Sequence, residues 1–163
     1  KKETRTGEIW CKGIQKPLEM ELKLNDWQSN LYSSILELPD YRSIKWIYDK
    51  KGNSGKTSFC KWYCINHTDG LYLSGKSNDM KYAIKCHLDK AMPLKVIFID
   101  LPRSLENFVS YQGIEEIKNG IFFCGKYESC QVMYDRVHVV CFANFLPERE
   151  MLSADRWKIV KVV

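Results

Sequence analysis

Apolar residues fall along this chain in short runs separated by stretches of helical periodicity. Ser43–Tyr48, Lys95–Asp100 and Val137–Phe142 are nearly continuous runs, the form a strand takes when both its faces are covered. Gly70–Leu73, Ile121–Cys124 and Trp157–Val162 read as shorter strands. Asp26 is positioned to cap an amphipathic helix in which Trp27, Leu31, Ile35 and Leu38 recur at helical spacing before Pro39 stops it. Further helices are predicted over Thr57–Asn66, from Asn78 to Cys86, and over Tyr111–Asn119, where Gly120 supplies the stop. Residues 1–24 are charged, weakly patterned and interrupted by Pro17. Strands alternating with helices predict an α/β fold with a mainly parallel sheet flanked by helices.

Composition narrows this picture only a little. A chain of 163 residues, 45% hydrophobic, fits one compact domain with room for a small appendage. Lys and Arg number 25 against 20 Asp and Glu, a net charge of +5 that permits an anionic partner without requiring one. The apolar runs are strand-sized, which excludes a membrane-spanning helix from the reading. Seven cysteines without regular spacing suggest free thiols in a reducing intracellular compartment. Cys60, Cys64 and His67 fall on one helix face, but without a C-x-x-C pair they read as core residues rather than zinc ligands. The first residue is Lys1 rather than Met, so a piece of a longer protein is expected.

The chemistry concentrates at Gly52-Asn53-Ser54-Gly55-Lys56-Thr57, followed by Ser58, between a predicted strand and a predicted helix. Strand, glycine loop, Lys-Thr and helix is the layout of a phosphate-binding loop. Its glycines let main-chain N–H groups turn toward phosphate oxygens, and the helix aims its positive end at the same charge. Lys56 would reach the β- and γ-phosphates of ATP, and the Thr57 hydroxyl would join a Mg²⁺ shell. The strict pattern also places Gly five residues before Gly55, where this chain has Lys50.

Three further residues sit where such a loop needs partners. Asp100 is the first polar residue after Val96-Ile97-Phe98-Ile99 and suits a metal-side carboxylate; the alternative is a cap on the turn before Pro102. Asn144 ends a buried strand and could orient water or touch the γ-phosphate, or simply close a turn. Arg156, in Ser153-Ala154-Asp155-Arg156-Trp157, could stabilise phosphoryl charge from a neighbouring subunit, or pair with Asp155 on the surface. Gly125 beside Lys126-Tyr127 suggests a hairpin tip offering a cation and an aromatic ring to single-stranded DNA, with Lys118 next in line. Phe122 and Phe123 read as core and strand residues.

Several blocks occur together in order: Gly52–Thr57, Ile99-Asp100-Leu101-Pro102-Arg103, Ile114–Asn119, Lys126-Tyr127-Glu128, Val137–Pro147 and Ser153–Trp157. Over roughly residues 26–163 they resemble the superfamily 3 helicase half of the replication initiator (Rep) of circular single-stranded DNA viruses, closest to the nanovirus and satellite type. The resemblance implies an AAA+-like P-loop ATPase over residues 41–163, preceded by a small helical segment, residues 1–40, as a candidate oligomerisation region. It assigns Gly52, Gly55, Lys56 and Thr57 to the phosphate loop, Asp100 to the metal-side motif and Asn144 to the polar sensor. Lys126 falls in the DNA hairpin block, and Arg156 matches a trans-acting arginine finger. It further implies MgATP hydrolysis between subunits of a hexameric ring, 3′→5′ movement on single-stranded DNA, a nicking domain upstream, and work in a host cell nucleus.

Two departures are visible. Many relatives of this type carry paired acids before the Pro, whereas this chain has Ile99-Asp100, leaving Glu106 and Glu115 as candidates for the water-polarising acid. His67, His87 and His138 form no His-hydrophobic-His motif, so no nicking activity is expected of this chain. A small-molecule phosphotransferase would want a lid rich in arginine, and residues 74–92 carry lysines and no Arg. A nucleotide-binding assembly module without unwinding activity is the remaining alternative.

Overall fold

The computed structural model describes residues 18–162. In chain order it contains α1 (Asp26–Leu36), β1 (Ile44–Tyr48), α2 (Lys56–Asn66), β2 (Gly70–Leu73), α3 (Ser77–Asp89), β3 (Val96–Leu101), α4 (Tyr111–Asn119), β4 (Ile121–Cys124), β5 (Cys130–Met133), β6 (His138–Ala143) and β7 (Trp157–Lys161). Single 3-10 segments cover Arg103–Phe108, Arg149–Met151 and Ala154–Arg156. The fold is α/β, as expected. Five parallel strands form one sheet in the order β2-β3-β6-β1-β7, while β4 and β5 make a separate antiparallel hairpin.

The continuous apolar runs follow from a sheet covered on both faces. Along β3, Val96 and Phe98 turn to one face, where they meet Phe59, Cys60 and Tyr63 of α2 and Leu31 and Ile35 of α1. Ile97 and Ile99 turn to the other, against Met80 and Ile84 of α3 and Ile114 and Ile117 of α4. β6 repeats the division, with Val140 and Phe142 opposed to Val139 and Cys141. Each such side chain removes apolar area from water on its own face, so polar alternation has no place in these strands.

β5 was not expected. Cys130–Met133 alternates half-polar and, among the described residues, pairs only with β4, Phe122 lying opposite Val132. That alternation also corrects Phe123: Phe122 is buried, but Phe123 points outward with 64% of its surface exposed. Cys60, Cys64, Cys86, Cys124, Cys130 and Cys141 are free thiols. No helix among the described residues is long and apolar enough to cross a membrane.

α1 is part of the packed body. Its N-cap is Asn25 rather than Asp26: the Asn25 side chain accepts from the Gln28 N–H, and the Gln28 side chain accepts from the Asn25 N–H. A boundary at residue 40 therefore separates α1 from the core that holds Leu31 and Ile35. The remainder of the expected N-terminal segment, residues 1–17, lies outside the described residues.

Candidate nucleotide-binding site

The strand order brings the predicted motif residues together. β6 lies between β3 and β1, and the C-terminal ends of these three strands carry Asn144, Asp100 and the glycine loop. In parallel sheets, ligands bind outside the carboxyl ends of strands at such a change of connection direction. A cavity of about 350 Å³ opens there, lined by Gly52 to Ser58, Asp100, Pro102 and Asn144. All seven predicted loop residues and both strand-end residues face one space.

Backbone conformation accounts for the loop and for its departure from the strict pattern. Gly52 and Gly55 both have φ of 91° and Asn53 has φ of 60°, left-handed values that favour glycine and tolerate asparagine. Lys50 is not among the left-handed residues, so a side chain there meets no backbone strain. The Lys50 carbonyl instead accepts from Arg103 at 3.0 Å. At Gly55 a Cβ would lie 2.7 Å from Gln28 Nε2 and would displace that amide, while φ of 91° favours glycine in its own right.

That close approach shows how α1 braces the loop. Gln28 Nε2 donates to the Gly55 carbonyl at 2.9 Å, and Trp27 Nε1 donates to the Ser54 carbonyl at 3.2 Å. Sequence reasoning missed both; the Asn25-x-x-Gln28 capping pair was the signal available. Missed too was Asp49, which is buried beneath the loop and forms an ion pair with Lys56 at 3.3 Å. Asn144 Nδ2 donates to the Asp49 carbonyl at 2.8 Å. Across the cavity Asp100 accepts from the Tyr72 hydroxyl at 2.7 Å, and burial together with that carboxylate pushes the Tyr72 phenol up.

Two sequence assignments need correction. Arg156 is 2% exposed and turned into its own domain, donating to Asn119 Oδ1 at 2.7 Å and to Glu115 Oε2 at 3.4 Å. It offers no guanidinium to a neighbouring subunit, nor does it pair with Asp155, whose carboxylate is taken by Arg42 at 2.8 Å. Lys118 is 4% exposed, and its ammonium donates to the carbonyls of Val137 and Asp40 at 2.7 and 2.8 Å. It is closed to DNA.

Burial pulls the Lys118 ammonium down to about 8, with the Asp40 carboxylate opposing it. An unfolded lysine titrates near 10.4, so between these values the unfolded chain holds more protons and stability rises with pH. Below about 8 both states are protonated and the charged form's burial penalty is fully present; above the unfolded value it is gone. Denaturant unfolding across that window should show wild type gaining stability relative to Lys118→Met as pH rises. A constant difference would refute the titration.

Lys126 and Tyr127 lie at the tip joining β4 to β5. Tyr127 is exposed with φ of 57°. Lys126 pairs with Asp79 of α3 and sits 5.7 Å from the centres of both the Tyr82 and Tyr127 rings. Of the two candidate acids, Glu106 lines a second cavity of about 410 Å³ that shares Asn144 with the first, whereas Glu115 belongs to the Arg156 cluster.

The comparison with known proteins adds lineage to this geometry. No protein-family model matches the chain. It is 36% identical over 155 residues to the Para-Rep C7 protein of Faba bean necrotic yellows C7 alphasatellite, covering 93% of this chain and 53% of that protein. It is 39% identical over 150 residues to Para-Rep C10 of Milk vetch dwarf C10 alphasatellite, covering 90% and 51%. The chain is homologous to nanovirus and alphasatellite Rep proteins. Similarity also extends to the master replication protein of Subterranean clover stunt virus (strain F), 36% identical over 143 residues, covering 87% and 47%. The chain thus spans about half the length of the curated relatives it matches.

Proposed function

We propose that this chain is the ATP-driven motor half of a viral rolling-circle replication initiator, hydrolysing MgATP and moving 3′→5′ on single-stranded DNA. The observation that carries this reading is the convergence of Gly52–Ser58, Asp100 and Asn144 on one cavity. Two left-handed glycines, a left-handed Asn53 and the start of α2 suit a polyphosphate, and the cavity is large enough to take one. Thr57 and Asp100 line the same space and would hold Mg²⁺, which when bound would supply charge neutralisation to the polyphosphate.

The chain's own groups do the rest. Loop amides and Lys56 stabilise charge on the transferring phosphoryl group. Asn144 donates and accepts at once, which suits it to orient the attacking water. Glu106, reaching the neighbouring cavity beside Asn144, is the better placed of the two acids to polarise that water. With Arg156 buried, any cation acting across a ring interface must come from another residue.

In an ATPase assay with and without single-stranded DNA, turnover stimulated by DNA is the expected result, and no turnover in either condition would overturn the reading. The hairpin carries the DNA part. Lys126→Ala should leave DNA-independent hydrolysis in place and lower the salt slope of single-strand binding by about 0.7 for each lysine–phosphate pair removed. An unchanged slope would move the DNA-binding role away from Lys126. In wild type the phosphate must compete with Asp79 for this lysine, so Asp79→Ala should bind single strands more tightly.

A further inference from the structure

We propose that Asp49 is a positioning residue for the phosphate loop: its carboxylate holds the Lys56 ammonium until a nucleotide phosphate competes for it. This inference rests on the nucleotide-binding reading above and adds a device to it.

Asp49 follows β1 directly and is 5% exposed. Every polar atom it has is engaged. Its N–H donates to the Ala143 carbonyl at 3.1 Å, and its carbonyl accepts from Asn144. Its carboxylate accepts from the Lys51 N–H at 3.0 Å and from Lys56 Nζ at 3.3 Å. Burial works to raise its pKa, but the Ser54 hydroxyl, the Gly52 amide and the Lys56 charge together hold it below the usual carboxylate range. It is therefore ionised at neutral pH.

An ionised carboxylate buried beneath a loop built for anions needs a reason. Alone it would repel a polyphosphate and weaken binding. Its value lies in Lys56, whose side chain is only 11% exposed and would otherwise be a poorly solvated cation with the neutral Ser54 hydroxyl at 3.4 Å but no counter-charge. Asp49 keeps that ammonium at the cavity, whose lining includes Lys56, rather than free in solvent. Nucleotide binding then exchanges one anion for another on the same lysine. The released carboxylate keeps the Lys51 N–H at 3.0 Å, so one of its loop contacts remains. Because the same residue's carbonyl is tied to Asn144, loop and strand-end amide share one anchor.

The consequence runs against the usual expectation for a buried residue at a site. Asp49→Asn keeps the size and one acceptor for Lys51 but removes the charge that competes for Lys56. Calorimetric titration with MgADP and MgATP should show Asp49→Asn binding about tenfold more tightly than wild type, with KM for ATP falling in step. The gain should shrink to a minor part of its size in a Lys56→Ala background, where only the direct repulsion between Asp49 and the phosphates is left to relieve. Asp49→Ser, smaller but also uncharged, repeats the test should the Asn variant not fold. Equal or weaker binding in these variants, or a gain of undiminished size without Lys56, overturns the inference. Wild type that binds neither nucleotide overturns it together with the nucleotide reading; wild type that binds, with no gain in the variants, overturns this inference alone.

Discussion

Lys56→Ala is expected to remove ATP turnover while leaving the fold intact. The two halves of this expectation have separate causes. α2 is fixed to the sheet by Phe59, Cys60 and Tyr63, all buried, and Lys56 contributes nothing to that packing. Asp49 loses one partner but retains the Lys51 N–H donor at 3.0 Å, so the carboxylate beneath the loop is not left bare. Turnover, by contrast, depends on a cation where charge develops on the phosphoryl group. Losing one such preorganised stabiliser typically costs about 10²–10³ in kcat, or about 3–4 kcal/mol of transition-state stabilisation. A steady-state ATPase assay beside a thermal melt reads both halves. Wild-type turnover in the variant would remove the phosphate-loop assignment, and a collapsed melt would remove the claim that Lys56 is dispensable to the fold.

Much of the architecture was legible because both faces of this sheet are covered. Continuous apolar runs at β1, β3 and β6 can hardly be anything but central strands, and β2, α4 and β4 fall on the residues expected. The loop was legible for a related reason: glycines, Lys and Thr between strand and helix are a local arrangement, and local sequence reports it. What sequence did not report was direction. Lys118 and Arg156 are cations in polar surroundings, the usual description of solvated residues. Their burial is decided by partners far along the chain, Val137 for one and Asn119, 37 residues away, for the other. The same holds for α1. Its periodicity announced a helix, but nothing local said that Gln28 would reach the Gly55 carbonyl, 27 residues on. Asp49 escaped notice because it stands just outside the glycine pattern, and its importance comes from Asn144 and Lys56 arriving on either side.

Arg156→Ala carries the second large effect, expected in stability before it is seen in turnover. The guanidinium joins three pieces of chain: the turn before β7, the C-terminal half of α4 through Glu115 and Asn119, and the Arg42 carbonyl ahead of β1 at 3.4 Å. Burial lowers its pKa, yet an arginine stays charged, so this is a buried cation held by one carboxylate and neutral acceptors. Its Nε has no partner among the described residues, which marks the cluster as imperfectly satisfied there. Truncation leaves the Asn119 amide and the Glu115 carboxylate without their donor and opens space behind them. Breaking such a pair costs about 2–4 kcal/mol, less than a fully buried pair because Glu115 remains 37% exposed. Arg156→Lys should recover little of it, since one ammonium cannot replace a fork that reaches Asn119, Glu115 and Arg42 together. Denaturant unfolding of the three proteins measures this directly. Mixing Arg156→Ala with Lys56→Ala subunits supplies the opposing test: a trans-acting arginine would restore turnover at mixed interfaces, and the buried geometry predicts none beyond the sum of the separate variants.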